Sequence, residues 1–183
     1  MKKLLFCLSI AFSPIAFTRK AEPELTPLPQ GHSHNDYYNK RPLLDALTNG
    51  FCSVEADVFL KNEKLLVGHS RFELKGSRTL ELLYLKPLAE RVKANGGTVY
   101  KSKVPFYLMI DFKTEGPKTY AILQPLLEKY RFMLTEFTSG NTKEGAVTVV
   151  ISGSRPREVM EKQSQRLAGY DGRLSDPGQR PSP

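Results

Sequence analysis

The chain has 183 residues, 40% of them hydrophobic, which is enough for one domain with an interior core and too apolar for a disordered polymer. The formal net charge is +8, but Lys2, Lys3, Arg19 and Lys20 supply half of it. The remainder is mixed along the chain with no basic stripe and no interleaved aromatics, so nucleic-acid binding is not indicated, although a modest positive field suits an anionic substrate.

Lys2 and Lys3 precede a mostly apolar run over residues 4–17, interrupted by Pro14 and followed by Thr18, Arg19 and Lys20. That is the pattern of a secretory signal peptide, here residues 1–20, and it implies a secreted or periplasmic product. The run falls short of the roughly 20 apolar residues a spanning helix needs, and no later run is longer, so no stable membrane span is expected. No small-x-small triplet marks a cleavage point, which leaves an uncleaved anchor as the alternative. Cys7 lies inside this run and Cys52 is the only other cysteine, so an exported form has no internal disulfide and Cys52 reads as a buried structural thiol.

Over residues 27–175 short apolar strands alternate with helical segments, as in βα units feeding a parallel sheet. Residues 27–34 end in a polar cluster; 42–49 read as a short helix stopped by Gly50. Residues 51–60 and 64–68 read as strands parted by Lys61-Asn62-Glu63. In 80–95, Leu82, Leu83, Leu85, Leu88, Ala89 and Val92 recur at helical spacing, closed by Gly96-Gly97. A strongly apolar strand follows at 104–113 and a helix at 120–133, with a kink expected at Pro125. The series ends with a buried strand at 146–152, a helix at 156–167, a short strand at 168–174 and a turn-rich, disordered tail at 176–183. The count is about five βα units, against eight in a (β/α)₈ barrel.

The chain has three histidines, His32, His34 and His69, all at predicted strand ends, and two directly follow glycine. In a parallel α/β barrel the strand C-termini line the active face, where these histidines would converge. Residues two apart on a strand share a face, so Glu55 and Asp57 point together out of one apolar strand, and Asp111 and Lys113 out of another. Burying unpaired carboxylates costs several kcal/mol, and a hard divalent cation with oxygen ligands relieves that cost. The alternative is ion pairing, Asp111 with Lys113 and Glu55 with an arginine. A cation flanked by two imidazoles suits phosphodiester cleavage. No persuasive Ser-His-Asp or Cys-His order, glycine-rich phosphate loop or zinc spacing is present.

The fragments Gly31-His32-Ser33-His34-Asn35-Asp36-Tyr37, Pro42-Leu43-Leu44-Asp45-Ala46-Leu47, Gly50, Ser53-Val54-Glu55-Ala56-Asp57-Val58 and Leu66-Val67-Gly68-His69 together resemble the glycerophosphodiester phosphodiesterase signature. The His-Asn-Asp-Tyr wording resembles a bacterial and fungal branch of the phosphatidylinositol-phospholipase-C-like phosphodiesterase superfamily. The resemblance runs from about residue 31 to about residue 174. It implies an α/β TIM barrel, here incomplete at about five to six of eight βα units and truncated at the C-terminus. It implies His34 and His69 as the catalytic pair, Glu55, Asp57 and Asp111 as metal ligands, and Ca²⁺ or Mg²⁺ as cofactor. Lys113 matches a basic residue of the same strand as Asp111. Asn35 stands where the wider family has an arginine that touches phosphate, and His32, sharing a face with His34, is a further substrate-side or acid/base candidate. The expected substrate is a small glycerol- or inositol-type phosphodiester or a phospholipid headgroup. The competing expectation is a non-catalytic fragment that keeps a metal- or anion-binding site. Headgroup cleavage at a membrane would need an exposed apolar or basic loop, which the sequence does not clearly display.

Overall fold

The computed structural model describes residues 25–176; the segment expected to be a signal peptide and most of the expected tail lie outside the described residues. Five strands, β1 (Leu28–Ser33), β2 (Phe51–Lys61), β4 (Phe106–Phe112), β7 (Val147–Gly153) and β9 (Gly169–Tyr170), form a parallel sheet in chain order. The long β2 outruns its parallel neighbours, and its end pairs antiparallel with β3 (Lys64–Val67). A two-residue turn with Asn62 and Glu63 at positive φ makes that hairpin possible.

Burial alternates along the central strands. Val54, Ala56 and Val58 on β2, Leu108 and Ile110 on β4, and Val149 and Ile151 on β7 are fully buried in one core. Helices α1 (Leu44–Thr48), α2 (Lys86–Ala94) and α3 (Gly116–Lys129) contribute Leu47, Leu88, Val92, Leu123 and Leu127 to the same core. A π-helical turn, Glu81–Leu85, leads into α2 and buries Tyr84 and Leu85, so the apolar face expected over residues 80–95 is present from Leu85 through Leu88, Ala89 and Val92, whereas Leu82 is 52% exposed and Leu83 only partly buried. The opposite face of the sheet carries Ser53, Glu55 and Asp57, then Tyr107, Met109 and Asp111, then Thr148, Val150 and Ser152. A sheet with one face under helices and the other polar reads as this strict alternation rather than as continuous apolar runs.

Two expectations need correction. The helix expected at 120–133 begins earlier, at Gly116, because Pro117 is preset for the first helical turn, and it continues past Pro125 to Lys129; residues Arg131–Met133 form a separate 3₁₀ turn. The helix expected at 156–167 is only α4 (Arg157–Glu161), since Gln165–Arg166, strand β8, extend to pair with β5 (Glu136–Thr138). That pairing belongs to a three-stranded sheet with β6 (Asn141–Lys143), a hairpin turning at Ser139-Gly140 that the sequence reading missed. The parallel sheet is open among the described residues, with β1 and β9 as its edges, which agrees with the incomplete form expected without showing a barrel.

Candidate active site

Pairing register brings the acidic residues together. Asp57 on β2 lies opposite Asp111 on β4, and Asp111 lies opposite Ser152 on β7, giving one row across three strands at the C-terminal end of the sheet. Glu55 is one pleat below Asp57 on the same face. Ligand-capable oxygens of Glu55, Asp57 and Asp111 all lie within 4.8 Å of one another. Asp57 is 0% exposed and Glu55 7%.

The three histidines gather around these carboxylates. His34, just past β1, places Nε2 3.2 Å from Glu55 Oε2, and His32 places its own 3.8 Å from the same oxygen. His32 Nδ1 is 2.8 Å from Ser53 Oγ, which seats that ring on β2. His69 follows β3, whose antiparallel return carries it back over the site, and its Nδ1 is 3.1 Å from Asp57 Oδ2. Lys113 extends its ammonium to 2.9 Å from Asp111 Oδ1 and 3.2 Å from Asp57 Oδ2. Burial pulls the Lys113 pKa down, and the two carboxylates more than reverse this, so it stands above the usual lysine value. The expected pairing of Asp111 with Lys113 is therefore present, whereas Glu55 faces imidazoles rather than an arginine.

Two buried oxygens receive no hydrogen bond: Asp57 Oδ1, and Glu55 Oε2, whose contact with His34 Nε2 at 3.2 Å falls outside hydrogen-bonding geometry. A buried, unsatisfied carboxylate oxygen is costly, and two of them inside a cluster of three carboxylates form an all-oxygen donor set suited to a hard divalent cation. The residues present fit such an ion.

Two contributors went unnoticed in the sequence. Tyr37 is buried, and its hydroxyl donates to Asp57 Oδ2 at 2.8 Å while standing 2.8 Å from Asn35 Oδ1 and 3.3 Å from His69 Nδ1. Burial, then the hydrogen bond to Asp57, push its pKa far above the usual tyrosine value, so it stays a donor. Ser152 Oγ donates to Asp111 Oδ2 at 2.9 Å. Asn35, in the left-handed region at φ 49°, turns its side chain to Tyr37. The loop carrying His34, Asn35 and Tyr37 is tied down by Asp36, fully buried, which accepts from Ser33 Oγ, Asn39 Nδ2, the Leu43 amide and Tyr84 Oη. Gly153, at φ +66°, lies so close that a Cβ there would sit 2.5 Å from Asp111 Oδ1.

A cleft of about 320 Å³ adjoins the site on the His69 side, lined by Tyr37, Tyr38, Gly68, Glu73, Lys75 and Arg78. A larger hollow, about 560 Å³, lies at the other end of the sheet around Val104, Tyr107 and Thr148, away from the carboxylates. It has none of the acid/base groups and is not part of this site.

No solved structure matches the chain. Among curated proteins it is 34% identical over 174 residues to the altered inheritance of mitochondria protein 6 homolog of Arthroderma benhamiae, covering 83% of this chain and 55% of that protein. To altered inheritance of mitochondria protein 6 of Eremothecium gossypii it is 34% identical over an alignment of 189 residues, 91% of this chain and 48% of that one. For the Kluyveromyces lactis protein of the same name the identity is 32% over 181 residues, 80% and 43% of the two chains. The chain thus spans about half the length of these relatives. The AIM6-like phosphodiesterase domain matches residues 19–171, which include every site residue described above, and the chain belongs to that family.

Proposed function

We propose that the chain carries a divalent-metal phosphodiesterase site, related to the glycerophosphodiesterase and phosphatidylinositol-phospholipase-C-like enzymes, which hydrolyses a small glycerol- or inositol-type phosphodiester or a phospholipid headgroup. The observation carrying this reading is the pair of unsatisfied buried oxygens, Glu55 Oε2 and Asp57 Oδ1, within a three-carboxylate cluster flanked by imidazoles. Glu55, Asp57 and Asp111 would hold Ca²⁺ or Mg²⁺, which when bound neutralises non-bridging phosphate oxygens.

The side chains divide the remaining work. Asp57 Oδ2 engages His69 Nδ1, which leaves the Nε2 of that ring for the substrate, while His34 lies beside Glu55 with its Nε2 3.2 Å from Oε2. One imidazole accepts the proton of the attacking hydroxyl as the new O–P bond forms, and the other gives a proton to the leaving oxygen as its bond to phosphorus breaks. With a neighbouring hydroxyl of the substrate as nucleophile the first product is a cyclic phosphate, which water opens by the reverse proton transfers. Lys113, at the mouth, supplies a positive charge for the phosphate, and His32 and Asn35 lie on the substrate side. In the longer relatives this sheet would be completed to a barrel by further βα units, and export by an N-terminal signal would place the site outside the cell.

The purified chain should hydrolyse glycerophosphodiesters with added Ca²⁺ or Mg²⁺, lose the activity to a chelator, and lose at least about 100-fold in His34→Ala and in His69→Ala. Activity that survives both the chelator and the substitutions contradicts the mechanism. A second reading, a non-catalytic domain that keeps the site, draws on Lys113: its ammonium already sits against two of the three carboxylates. That reading predicts binding of a cation or an anion at the site with no hydrolysis.

A further inference from the structure

The two most exposed large apolar side chains among the described residues are Phe72, 100% exposed, and Leu174, 93%. Both belong to segments tied down beside the carboxylates. The segment holding Phe72 starts at Gly68, whose amide donates to Asp57 O at 3.2 Å, and at His69, which touches the Asp57 side chain. The segment holding Leu174 lies across the site, where Arg173 donates to Gly153 O at 2.6 Å beside Asp111. The carboxylate row on β2 and β4 therefore lies between them.

Neither side chain is exposed because its segment is slack. Glu73 closes the turn around Phe72, accepting from the His69 amide at 3.1 Å, from Ser70 Oγ at 3.1 Å and from Tyr38 Oη at 3.2 Å. Asp176 closes the other, accepting from the Arg173 amide and from both Nη atoms of Arg155 at 2.6 and 2.8 Å. Each turn thus holds an apolar side chain out into solvent directly after an arginine: Arg71-Phe72 and Arg173-Leu174. Around Phe72 the cationic character continues with exposed Lys75 and with Arg78, both lining the cleft beside His69. The half-exposed ring of Tyr38 lies 6.3 Å from that of His69.

Single exposed hydrophobes are ordinary, but two on pinned turns beside one site, with exposed Arg71 and Lys75 flanking the first, match a surface that meets an anionic lipid interface, although Arg173 beside the second is tied to Gly153 O and Asp171. Apolar tips enter the boundary between headgroups and acyl chains while arginine and lysine stay among the anionic headgroups. We propose that this rim docks on an anionic phospholipid surface, with Phe72 and Leu174 as its two insertion points, so that the site meets a headgroup phosphodiester in place. This deepens the functional reading above and rests on it for the substrate, while the docking itself does not require catalysis.

The chain contains no tryptophan, so Phe72→Trp or Leu174→Trp introduces a single reporter of insertion. Phe132→Trp is the control: Phe132 is 56% exposed and lies at the far end of the sheet. With phosphatidylcholine vesicles containing phosphatidylserine, the emission of the first two variants should shift to the blue, and raising salt should reverse the shift. Phe132→Trp should not shift. The double variant Phe72→Asp with Leu174→Asp should lower the vesicle-bound fraction at least about tenfold. Because the N-terminal apolar run is common to all these chains, differences between them report on the rim. Emission that is unchanged by vesicles, already blue without them, or shifted equally in Phe132→Trp overturns the docking proposal. Docking without hydrolysis of any diester keeps the docking surface and removes the enzymatic reading.

Discussion

At the level of single residues, Asp57 is the pivot of the site, because its fully buried carboxylate meets Tyr37, His69 and Lys113 and still keeps Oδ1 unsatisfied. Tyr37→Phe removes a buried donor to that carboxylate and should destabilise the chain by about 1–2 kcal/mol in urea denaturation, with a weaker cation affinity as well. An unchanged midpoint would mean that Lys113 and His69 already satisfy Oδ2. Glu55, Asp57 and Asp111 were legible in the sequence because period-two patterning makes a charged side chain on an apolar strand conspicuous. Tyr37 was not legible: its aim depends on the left-handed turn at Asn35 and on the buried anchor Asp36, and neither follows from spacing. Ser152 could have been found, since it shares the outward face of β7 with Thr148 and Val150 and ends its strand as Asp111 does.

At the level of elements, helices and strands with strong apolar periodicity were readable to within a few residues, and the errors lie where tertiary pairing overrides local preference. Residues 163–167 read as helix by composition, yet Gln165 and Arg166 are taken by the small sheet against Phe137 and Thr138. The hairpin at residues 136–143 was missed because its strands are short and carry little apolar patterning, although Ser139-Gly140 is a turn signal. Two consequences belong here. Gly153 ends β7 at positive φ with its α-hydrogens against Asp111 and the Phe112 backbone, so Gly153→Ala should cost about 2–4 kcal/mol in thermal or urea unfolding. A neutral result would show that the β7 end can move away from Asp111. The segment after β9 is held by Asp176, whose hydrogen bonds from Arg155 and the Arg173 amide lower its pKa from 3.8 to about 2. The folded-state pKa is the lower one, so this stabilisation is full above 3.8 and is lost as pH falls through about 2. Over that acid range Asp176→Asn should flatten the pH dependence of stability relative to the parent chain, and superimposable profiles would contradict the assignment.

For the whole molecule, one face of the parallel sheet is sealed by helices into a continuous core, while the other bears the polar row and is open between edges β1 and β9. The βα alternation was plain in the sequence; closure was not, because it depends on pairing between strands far apart in the chain. The relatives are about twice as long as the part they share with this chain. None of the described helices is long and apolar enough to cross a membrane. The function proposed above depends on Glu55, Asp57 and Asp111, whose oxygens lie within 4.8 Å of one another, acting together on one cation. Calorimetric titration of the chelator-treated chain with Ca²⁺ and with Mg²⁺ should show one ion per chain for at least one of the two metals, with affinity lost at least about 100-fold in Asp57→Asn. No binding of either ion, or binding that Asp57→Asn leaves unchanged, would contradict it.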